Sequence, residues 1–442
     1  MKKFIIKNAK IIDPSENLNQ VSDLLINDGK IIQIFKNIDI DNLETIDLNK
    51  KILTPGLIDL HVHYRDPGET YKENIESGSK SSAKGGFTTV LMMANTIPTM
   101  DCVEVLEKQK DIINKNASIR ILQTASVTVG RKGEKLVDID ALSNYGVVGF
   151  SDDGDVIENS ELFTRGLLKA KNNNKLIFQH CEDKDLINDG VINDSPISIR
   201  LGLNPRSSEA ESRIVERDIE IAKKNNSSLY FQHISSKKSI ELIRNAKKSG
   251  INIVAEVTPH HLFLNELWTY GLKGKIPEFL DLNSYDTNTR VNPPLRTEED
   301  RKELINALKD GTIDLIATDH APHSQGDKLN TFEDAPAGIN GAELALSTML
   351  TLVKNEELSI QEVIKFMSNS PGELLHKTMN LKVGKIKKGY EADFTIIEES
   401  KSFIVSKKNF LSKSINSPLI NSELFGKVYM TIYGGKIVYK EH

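Results

Sequence analysis

Apolar and polar residues follow two different patterns along the chain. Near both ends, short apolar runs of β type are separated by polar turns, as in "DLLINDGKIIQIF" and "KVYMTIYGGKIVYK". Asn-Asp-Gly and Gly-Gly between such runs are typical of β-hairpins. In the middle of the chain, an apolar run is repeatedly followed by a longer stretch with helical spacing. The pattern therefore predicts a small β domain built from both termini, around a central α/β region.

The central region contains eight apolar runs that we interpret as strands. They are Leu57–His63, Thr88–Ala94, Ile119–Thr124, Val147–Ser151, Leu176–His180, Leu229–His233, Asn252–Val257 and Asp314–Thr318. Helical stretches separate most of them, including Val103–Asn116, Ser160–Asn174, Glu209–Asn226 and Glu298–Lys309.

Eight successive strand–helix units predict an α/β fold of the (β/α)8 TIM-barrel type. A doubly wound open sheet is the alternative, but it normally carries a glycine-rich loop after its first strand. Here the first strand is followed by "HVHYRDPG". We predict a barrel over residues 53–383 and a small β-sandwich domain formed by residues 1–52 and 384–442.

Composition narrows the possible partners and location. The net charge is −5 over 442 residues, which argues against a nucleic-acid partner. No apolar run reaches the length of a membrane span, so we expect no membrane partner. Only two cysteines occur, Cys102 and Cys181, which excludes a disulfide framework and fits a cytoplasmic protein.

Histidines and aspartates are concentrated where the predicted strands end. His61 and His63 are one residue apart, so in a strand they share a face. Eight of the ten histidines lie in strand-end segments. In a barrel, the carboxyl ends of the strands carry the catalytic residues. The strand-end candidates are His61, His63, Asn95, Asp152, Asp153, His180, His233, His260, His261, Asp319, His320 and His323.

This set of side chains indicates a metal site. Several neutral imidazoles with a few carboxylates suit zinc or a similar divalent ion. Four histidines and two aspartates exceed one tetrahedral site and fit two metals that share a bridging group. A metal brings the pKa of bound water to near ~7 and polarises a carbonyl. The residues therefore point to hydrolysis of an amide-like bond, or to the reverse reaction.

Several motifs together resemble the class I dihydroorotases of the amidohydrolase superfamily. They are "DLHVHYRDPG", "GFTTVLMMANTIPTMD", "GFSDDGD", "AEVTPHHLFL", "VNPPLRTEEDR", "IATDHAPHS" and "APAGINGAELAL". The resemblance extends over almost the whole chain. It implies the reversible conversion of N-carbamoyl-L-aspartate to L-dihydroorotate and water, a step of pyrimidine biosynthesis.

The resemblance also implies a set of metal ligands for one or two zinc ions. It assigns His61, His63 and Asp319 to one zinc, and His180 and His233 to the second. Asp153 takes the place where relatives carry a bridging carboxylated lysine, and no lysine occurs from Leu136 to Asp153. The residues alone leave the choice between Asp152 and Asp153 open.

The resemblance further implies roles in substrate binding and catalysis. Arg65, Asn95 and His323 are expected to bind the substrate carboxylate, for which the two-pronged guanidinium of arginine is suited. Asn292 is expected to hydrogen-bond the ring. Backbone groups near Ala337 and Gly338 complete the substrate site. A metal-bound hydroxide is the implied nucleophile, and Asp319 is the implied general acid and base.

Other interpretations remain open at this stage. The chain resembles dihydropyrimidinases, hydantoinases and allantoinases, but the missing lysine argues against them. A non-catalytic subunit that supports aspartate transcarbamoylase is a second alternative, although such relatives typically lose metal ligands. A homodimer is expected, with or without a transcarbamoylase complex. We interpret His260, His261 and His320 as structural, and residues 265–290 as a lid, an interface or a surface elaboration.

Overall fold

The computed structural model describes residues 3–37, 42–271 and 284–441. Strands from both ends of the chain form one sheet. The N-terminal part contributes Phe4–Asp13, Leu18–Asn27, Lys30–Phe35, Glu44–Asp47 and Ile52–Pro55, and the C-terminal part contributes Phe394–Ile404, Glu423–Tyr433 and Lys436–Lys440. We refer to these eight strands as the terminal sheet.

The strand Ile52–Pro55 joins the two halves of the terminal sheet. It pairs parallel with Phe4–Asp13 and antiparallel with Phe394–Ile404. Apolar side chains from both halves, among them Ile6 and Phe394, form one buried cluster. The strand pairing is continuous, so these strands form one sheet. A sandwich of two sheets, and the boundaries of the small domain, stay predictions. The sheet extends three residues past the predicted boundary at residue 52, because Ile52–Pro55 belongs to it.

The central strands occur in the predicted order, with shorter bounds. We number them one to eight: Leu57–Val62, Phe87–Met92, Arg120–Gln123, Gly149–Phe150, Leu176–Gln179, Leu229–Phe231, Ile253–Val257 and Leu315–Ile316. Strands one to three pair in parallel, as do strands four to eight. Parallel bridges from Ala125 to Phe150 and from Val62 to His320 connect the two groups. The fold is therefore α/β with parallel strands.

These strands read as continuous apolar runs because they are buried on both faces. Along strand two, Leu91 packs in a cluster with Phe178 and Tyr230. Its neighbour Val90 packs in a second cluster that contains the helix residue Leu167. Successive side chains point to opposite faces of a strand, so one strand supplies both clusters.

Helices follow most of the central strands along the chain and pack against them. The α-helices are Ile75–Lys84, Val103–Asn116, Ile139–Tyr145, Ser160–Asn172, Lys184–Ile187, Pro196–Leu201, Glu209–Asn225, Lys237–Lys248, Pro259–Phe263, Leu267–Tyr270, Glu298–Asp310, Gln325–Lys328, Ala345–Lys354, Ile360–Ile364 and Ser370–Met379. Short strands Ile192–Asn193 and Pro205–Arg206 pair with each other. None of the helices in the described part of the chain combines the length and apolar composition that a membrane crossing requires.

Candidate metal centre

Six side chains from five central strands meet at the ends of those strands. His61 lies in strand one and His63 directly follows it, and their rings lie 5.1 Å apart between centroids, close together as the HxH spacing predicts. The others follow strands four, five, six and eight: Asp153, His180, His233 and Asp319. His233 and Asp319 have positive φ angles of 32° and 47°. Non-glycine residues rarely adopt such angles, and they cluster at functional sites.

Asp153 lies in the middle of this cluster. Its Oδ2 atom is 3.3 Å from Nε2 of His63 and 3.5 Å from Nε2 of His61. Its Oδ1 atom is 3.4 Å from both Nδ1 of His180 and Nε2 of His233. One carboxylate therefore faces two imidazoles with each of its oxygens.

Asp319 contacts the two histidines of the cluster that belong to the HxH motif. Its Oδ1 atom is 2.9 Å from Nε2 of His63 and 3.5 Å from Nε2 of His61. The ligand atoms of His61, His63 and Asp319 lie within 4.8 Å of one another, as do those of His61, Asp153 and His233. Buried imidazole and carboxylate donors at this spacing fit a divalent metal that accepts nitrogen and oxygen ligands.

Burial and mutual attraction act in opposite directions on the charges of the cluster. Burial would raise the pKa of Asp153, but the neighbouring imidazoles, His61 first, hold it well below its ordinary value. Burial would lower the pKa of His61, but Glu256, Asp153 and Asp319 raise it well above its ordinary value. For His63 burial prevails and lowers the pKa. The cluster therefore holds ionised carboxylates, and a bound cation would replace the protons on its imidazoles.

The structure separates the roles of the two adjacent aspartates. Asp152 accepts hydrogen bonds from the backbone N–H groups of Val127 and Thr128, at 2.8 and 3.1 Å, and from the Thr128 hydroxyl at 2.5 Å. Its carboxylate therefore stabilises the loop that contains Val127 and Thr128. The geometry favours Asp153 as the metal ligand, a choice that the residues alone left open.

Glu256, on strand seven, supports the cluster from beneath and was not among the predicted site residues. Nδ1–H of His61 donates to its Oε1 at 2.6 Å, and the Tyr230 hydroxyl donates to its Oε2 at 2.6 Å. The backbone N–H of His233 also donates to Oε1, at 3.1 Å. This carboxylate fixes the His61 tautomer that presents Nε2 to the metal position. An acid within the apolar run "IVAEV" is the sequence signal that could have revealed it.

The change Glu256→Gln is expected to weaken the binding of a divalent metal, with zinc as the probe, about 10–100-fold, because the amide is a poorer acceptor and no longer polarises His61. Competition with a chromophoric zinc chelator measures this affinity. Tyr230→Phe is the matched control: it removes one hydrogen bond to Glu256 but leaves the contact with His61. Equal affinity of Glu256→Gln and the unsubstituted protein would contradict the supporting role of the carboxylate.

The predicted carboxylate-binding residues lie beside the cluster. Nδ1–H of His63 donates to Oδ1 of Asn95 at 2.8 Å, so the amide nitrogen of Asn95 faces away from that bond. Nε of Arg65 donates to the carbonyl of Pro322 at 3.4 Å. Its two terminal nitrogens make no hydrogen bond within the described ranges. Both residues therefore retain free donors next to the cluster.

His323 is buried on the loop that follows strand eight. Its Nε2–H donates to the carbonyl of Ala337 at 2.9 Å. Its Nδ1 has no partner among the residues that the structure describes. Burial, and then the nearby positive charge of Arg65, lower the pKa of His323 to about 2. A buried ring nitrogen without a partner is unusual and is available to a bound ligand.

The remaining predicted contacts surround the same space. Asn292 accepts at Oδ1 from Nη1 of Arg206 at 2.6 Å, and its amide nitrogen is 3.5 Å from Nε2 of His180. Arg206 also donates to Glu182, a neighbour of His180. Gly338 has a φ of 145°, and a Cβ atom there would lie 2.7 Å from Cβ of Ala321. This position therefore requires glycine.

Of the other strand-end histidines, His261 and His320 have structural contacts, whereas Nε2 of His260 has no hydrogen-bond partner among the described residues. His261 lies 2.7 Å from the Thr258 hydroxyl and 3.0 Å from the carbonyl of Pro293. Nδ1 of His320 lies 3.4 Å from the backbone N–H of Ala342. The helix Leu267–Tyr270 begins the segment 265–290, and Trp268 of that helix packs near Phe263. Residues 272–283 of that segment lie outside the described residues, so its role stays unassigned.

Sequence comparisons with known proteins find close relatives of this chain. A family model described as Dihydro-orotase-like matches residues 50–239. A dihydroorotase of Clostridium acetobutylicum is 42% identical over 440 residues, covering 99% of this chain and 100% of the relative. A dihydroorotase of Bacillus cereus (strain AH820) is 38% identical over 439 residues, covering 99% of this chain and 98% of the relative.

Solved structures agree in fold. The L-hydantoinase (dihydropyrimidinase) of Arthrobacter aurescens matches with a TM-score of 0.85 at 22% identity, covering 100% of this chain and 96% of that chain. The dihydropyrimidinase of Brevibacillus agri NCHU1002 matches with a TM-score of 0.84 at 21% identity, covering 99% of this chain and 95% of that chain. At this identity the likeness concerns the fold alone.

Proposed function

The chain belongs to the dihydroorotase family, and from that premise we propose that it interconverts N-carbamoyl-L-aspartate and L-dihydroorotate at a zinc centre. The enzyme class, a cyclic amide hydrolase, follows from the family. We propose His61, His63 and Asp319 as ligands of one zinc ion, His180 and His233 as ligands of a second, and Asp153 as the group between them. One or two ions per subunit fit this set.

The position of Asp153 is the observation that carries this proposal. Its two oxygens each face a different pair of imidazoles, at 3.3–3.5 Å. The resemblance of the sequence motifs implies that relatives acting on hydantoin or dihydropyrimidines carry a carboxylated lysine at this place. An aspartate in the bridging position therefore supports the dihydroorotase reaction over those alternatives. All six expected ligands occur, which supports an active enzyme over a non-catalytic subunit.

Asp319 is proposed to move the proton. A bound zinc ion would lower the pKa of a water molecule to near ~7 and polarise the ring carbonyl. In hydrolysis, the Asp319 carboxylate accepts a proton from the attacking water and delivers it to the ring nitrogen as the amide bond breaks. In cyclisation, the same carboxylate accepts the proton from the attacking nitrogen and returns it as water departs. Burial would raise the pKa of Asp319, but His61 and His63 hold it below its ordinary value, so the carboxylate is ionised.

The substrate carboxylate is proposed to lie between Arg65, Asn95 and His323. The terminal nitrogens of Arg65 offer two parallel donors for a carboxylate. A bound carboxylate would also favour the protonated form of His323. Asn292 and the backbone near Ala337 and Gly338 are proposed to bind the ring. This arrangement would select substrates that carry a negative charge.

We further propose that the eight central strands close into a (β/α)8 barrel. The bridges between Ala125 and Phe150, and between Val62 and His320, support closure because they give each edge strand a second neighbour. The terminal sheet, which includes Ile52–Pro55, would then form the core of a separate small domain, predicted from the sequence as residues 1–52 and 384–442. A cytoplasmic location, a homodimer and a complex with aspartate transcarbamoylase stay predictions.

The activity assay tests both the reaction and its selectivity. We expect the zinc-loaded protein to interconvert N-carbamoyl-L-aspartate and L-dihydroorotate in both directions. We expect no turnover of hydantoin, dihydrouracil or allantoin, because these rings lack the carboxylate that Arg65 would bind. Turnover of a control ring instead would refute the proposed selectivity. Absence of all turnover, with zinc bound and transcarbamoylase added, would favour the non-catalytic alternative.

A further inference from the structure

A segment near the C-terminus reaches back from the terminal sheet to the metal centre. This crossing segment, residues 411–417, lies between the strands Phe394–Ile404 and Glu423–Tyr433. The Ser414 hydroxyl donates to the carbonyl of Lys72 at 2.7 Å, and Nζ of Lys413 donates to the carbonyl of Thr70 at 2.7 Å. The segment is therefore fastened to the loop that follows strand one, a few residues after Arg65.

Asn416 connects this segment to two further loops. Its Oδ1 accepts from the backbone N–H of His323 at 3.1 Å. Its Nδ2 donates to the carbonyls of Ala321 and Gly338, at 3.1 and 3.0 Å. Its own carbonyl accepts from the backbone N–H of Asn340 at 2.9 Å. The side chain is 3% exposed, so these bonds are shielded from water.

The two loops held by Asn416 carry the proposed substrate contacts. One loop presents the free Nδ1 of His323, and the other presents the backbone around Gly338. The loops also touch directly, because Nε2–H of His323 donates to the carbonyl of Ala337. A planar amide offers one acceptor and two donors in fixed directions. Asn416 thus sets the spacing between the loops from a position behind them.

We propose that Asn416 is a positioning residue that fixes the His323 and Gly338 loops and thereby sets the affinity for substrate. This inference rests on the proposed function. Asn416 does not touch the metal-ligand cluster, so its effect is on binding more than on the chemical step. Because the residue belongs to the C-terminal part of the chain, the substrate site is complete only when that part has docked.

Two variants test the role of the amide. Asn416→Asp keeps the shape but loses both donors and places an anion against two carbonyls, and Asn416→Ala removes all three bonds. We expect KM to rise about tenfold or more in both reaction directions, with kcat within about threefold and zinc content unchanged. KM does not depend on the fraction of active protein, so partial misfolding does not obscure the result.

Lys413→Ala is the matched control. It removes a hydrogen bond of the same segment to Thr70 but leaves both Asn416 loops intact. We expect its KM to equal that of the unsubstituted protein. An unchanged KM in the Asn416 variants would overturn the proposal. So would an equal rise in Lys413→Ala, since the effect would then belong to the whole segment.

Hydrogen exchange separates this inference from the proposed function. In Asn416→Ala, we expect the backbone N–H groups of Ala321, His323 and residues 338–340 to exchange at least about tenfold faster than in the unsubstituted protein. This readout needs no activity. If the unsubstituted protein is inactive and Asn416→Ala still shows the faster exchange, the proposed reaction is refuted and the positioning role of Asn416 is retained. Unchanged exchange in these peptides would refute the positioning role, whatever the activity.

Discussion

Replacing Asp319 with asparagine is expected to lower kcat about a thousandfold or more in both reaction directions. The amide cannot accept the proton from water or return it to the ring nitrogen, and positioned proton transfer typically contributes about 10²–10⁴-fold. Because the residue is also a proposed ligand, zinc content must be measured on the same sample. Steady-state assays with both substrates then separate lost metal from lost proton transfer.

Asp334→Asn is the control for this change. Asp334 lies exposed on the loop after strand eight, and within the described residues it hydrogen-bonds Thr331 of the same loop and no other side chain. We expect it to leave both kcat and KM unchanged. If Asp319→Asn kept kcat within tenfold at full zinc occupancy, another group would have to carry the proton.

The second large effect is expected for Asp153→Asn, which should reduce the bound zinc and lower kcat about a hundredfold or more. An amide presents one oxygen in place of two and carries no charge, so it cannot serve both pairs of imidazoles. Zinc content by mass spectrometry and kcat by steady-state assay measure the two effects. The neighbouring change Asp152→Asn is the sharpest control in the chain.

Asp152→Asn should leave zinc content unchanged, because the hydrogen bonds of that carboxylate, in the part of the chain that the structure describes, all go to the loop at Val127 and Thr128. We expect it instead to lower the midpoint of thermal unfolding, since a buried acceptor is lost. The reverse pattern, with zinc lost in Asp152→Asn and retained in Asp153→Asn, would overturn the ligand assignment.

Much of the fold could be predicted from the sequence, because buried strands and helices give regular patterns of apolar residues. All eight central strands occur where the apolar runs predicted them, and the helix Val103–Asn116 has the predicted bounds. The other helices differ by a few residues at one end. Strand bounds are shorter than predicted, as in Leu315–Ile316, since ladder pairing stops before the apolar run does. The HxH spacing also placed His61 and His63 together, because alternate residues share a face.

Asn416 and Arg206 were missed because nothing local to them in the sequence reveals their role, whereas Glu256 had a local signal as an acid within an apolar run. Asn416 acts through loops that are 76 to 95 residues away along the chain. Arg206 meets Asn292 across 86 residues. Pairing at such separations is decided by the tertiary fold and leaves no periodic pattern. The positive φ angles of Arg65, His233 and Asp319 are equally invisible, since these residue types do not demand them.

The terminal sheet has a consequence for the order of events during synthesis. Ile52–Pro55 pairs with Phe394–Ile404, which is synthesised more than 300 residues later. During synthesis, one edge of this strand therefore stays unpaired until the C-terminal strand has been made. Until then, one edge of an apolar sheet is exposed, and such edges attract other nascent chains. We expect chaperones to be needed mainly in this interval. Docking of the last strands also brings in Asn416. A prematurely terminated chain would therefore contain the metal ligands but would lack a complete substrate site.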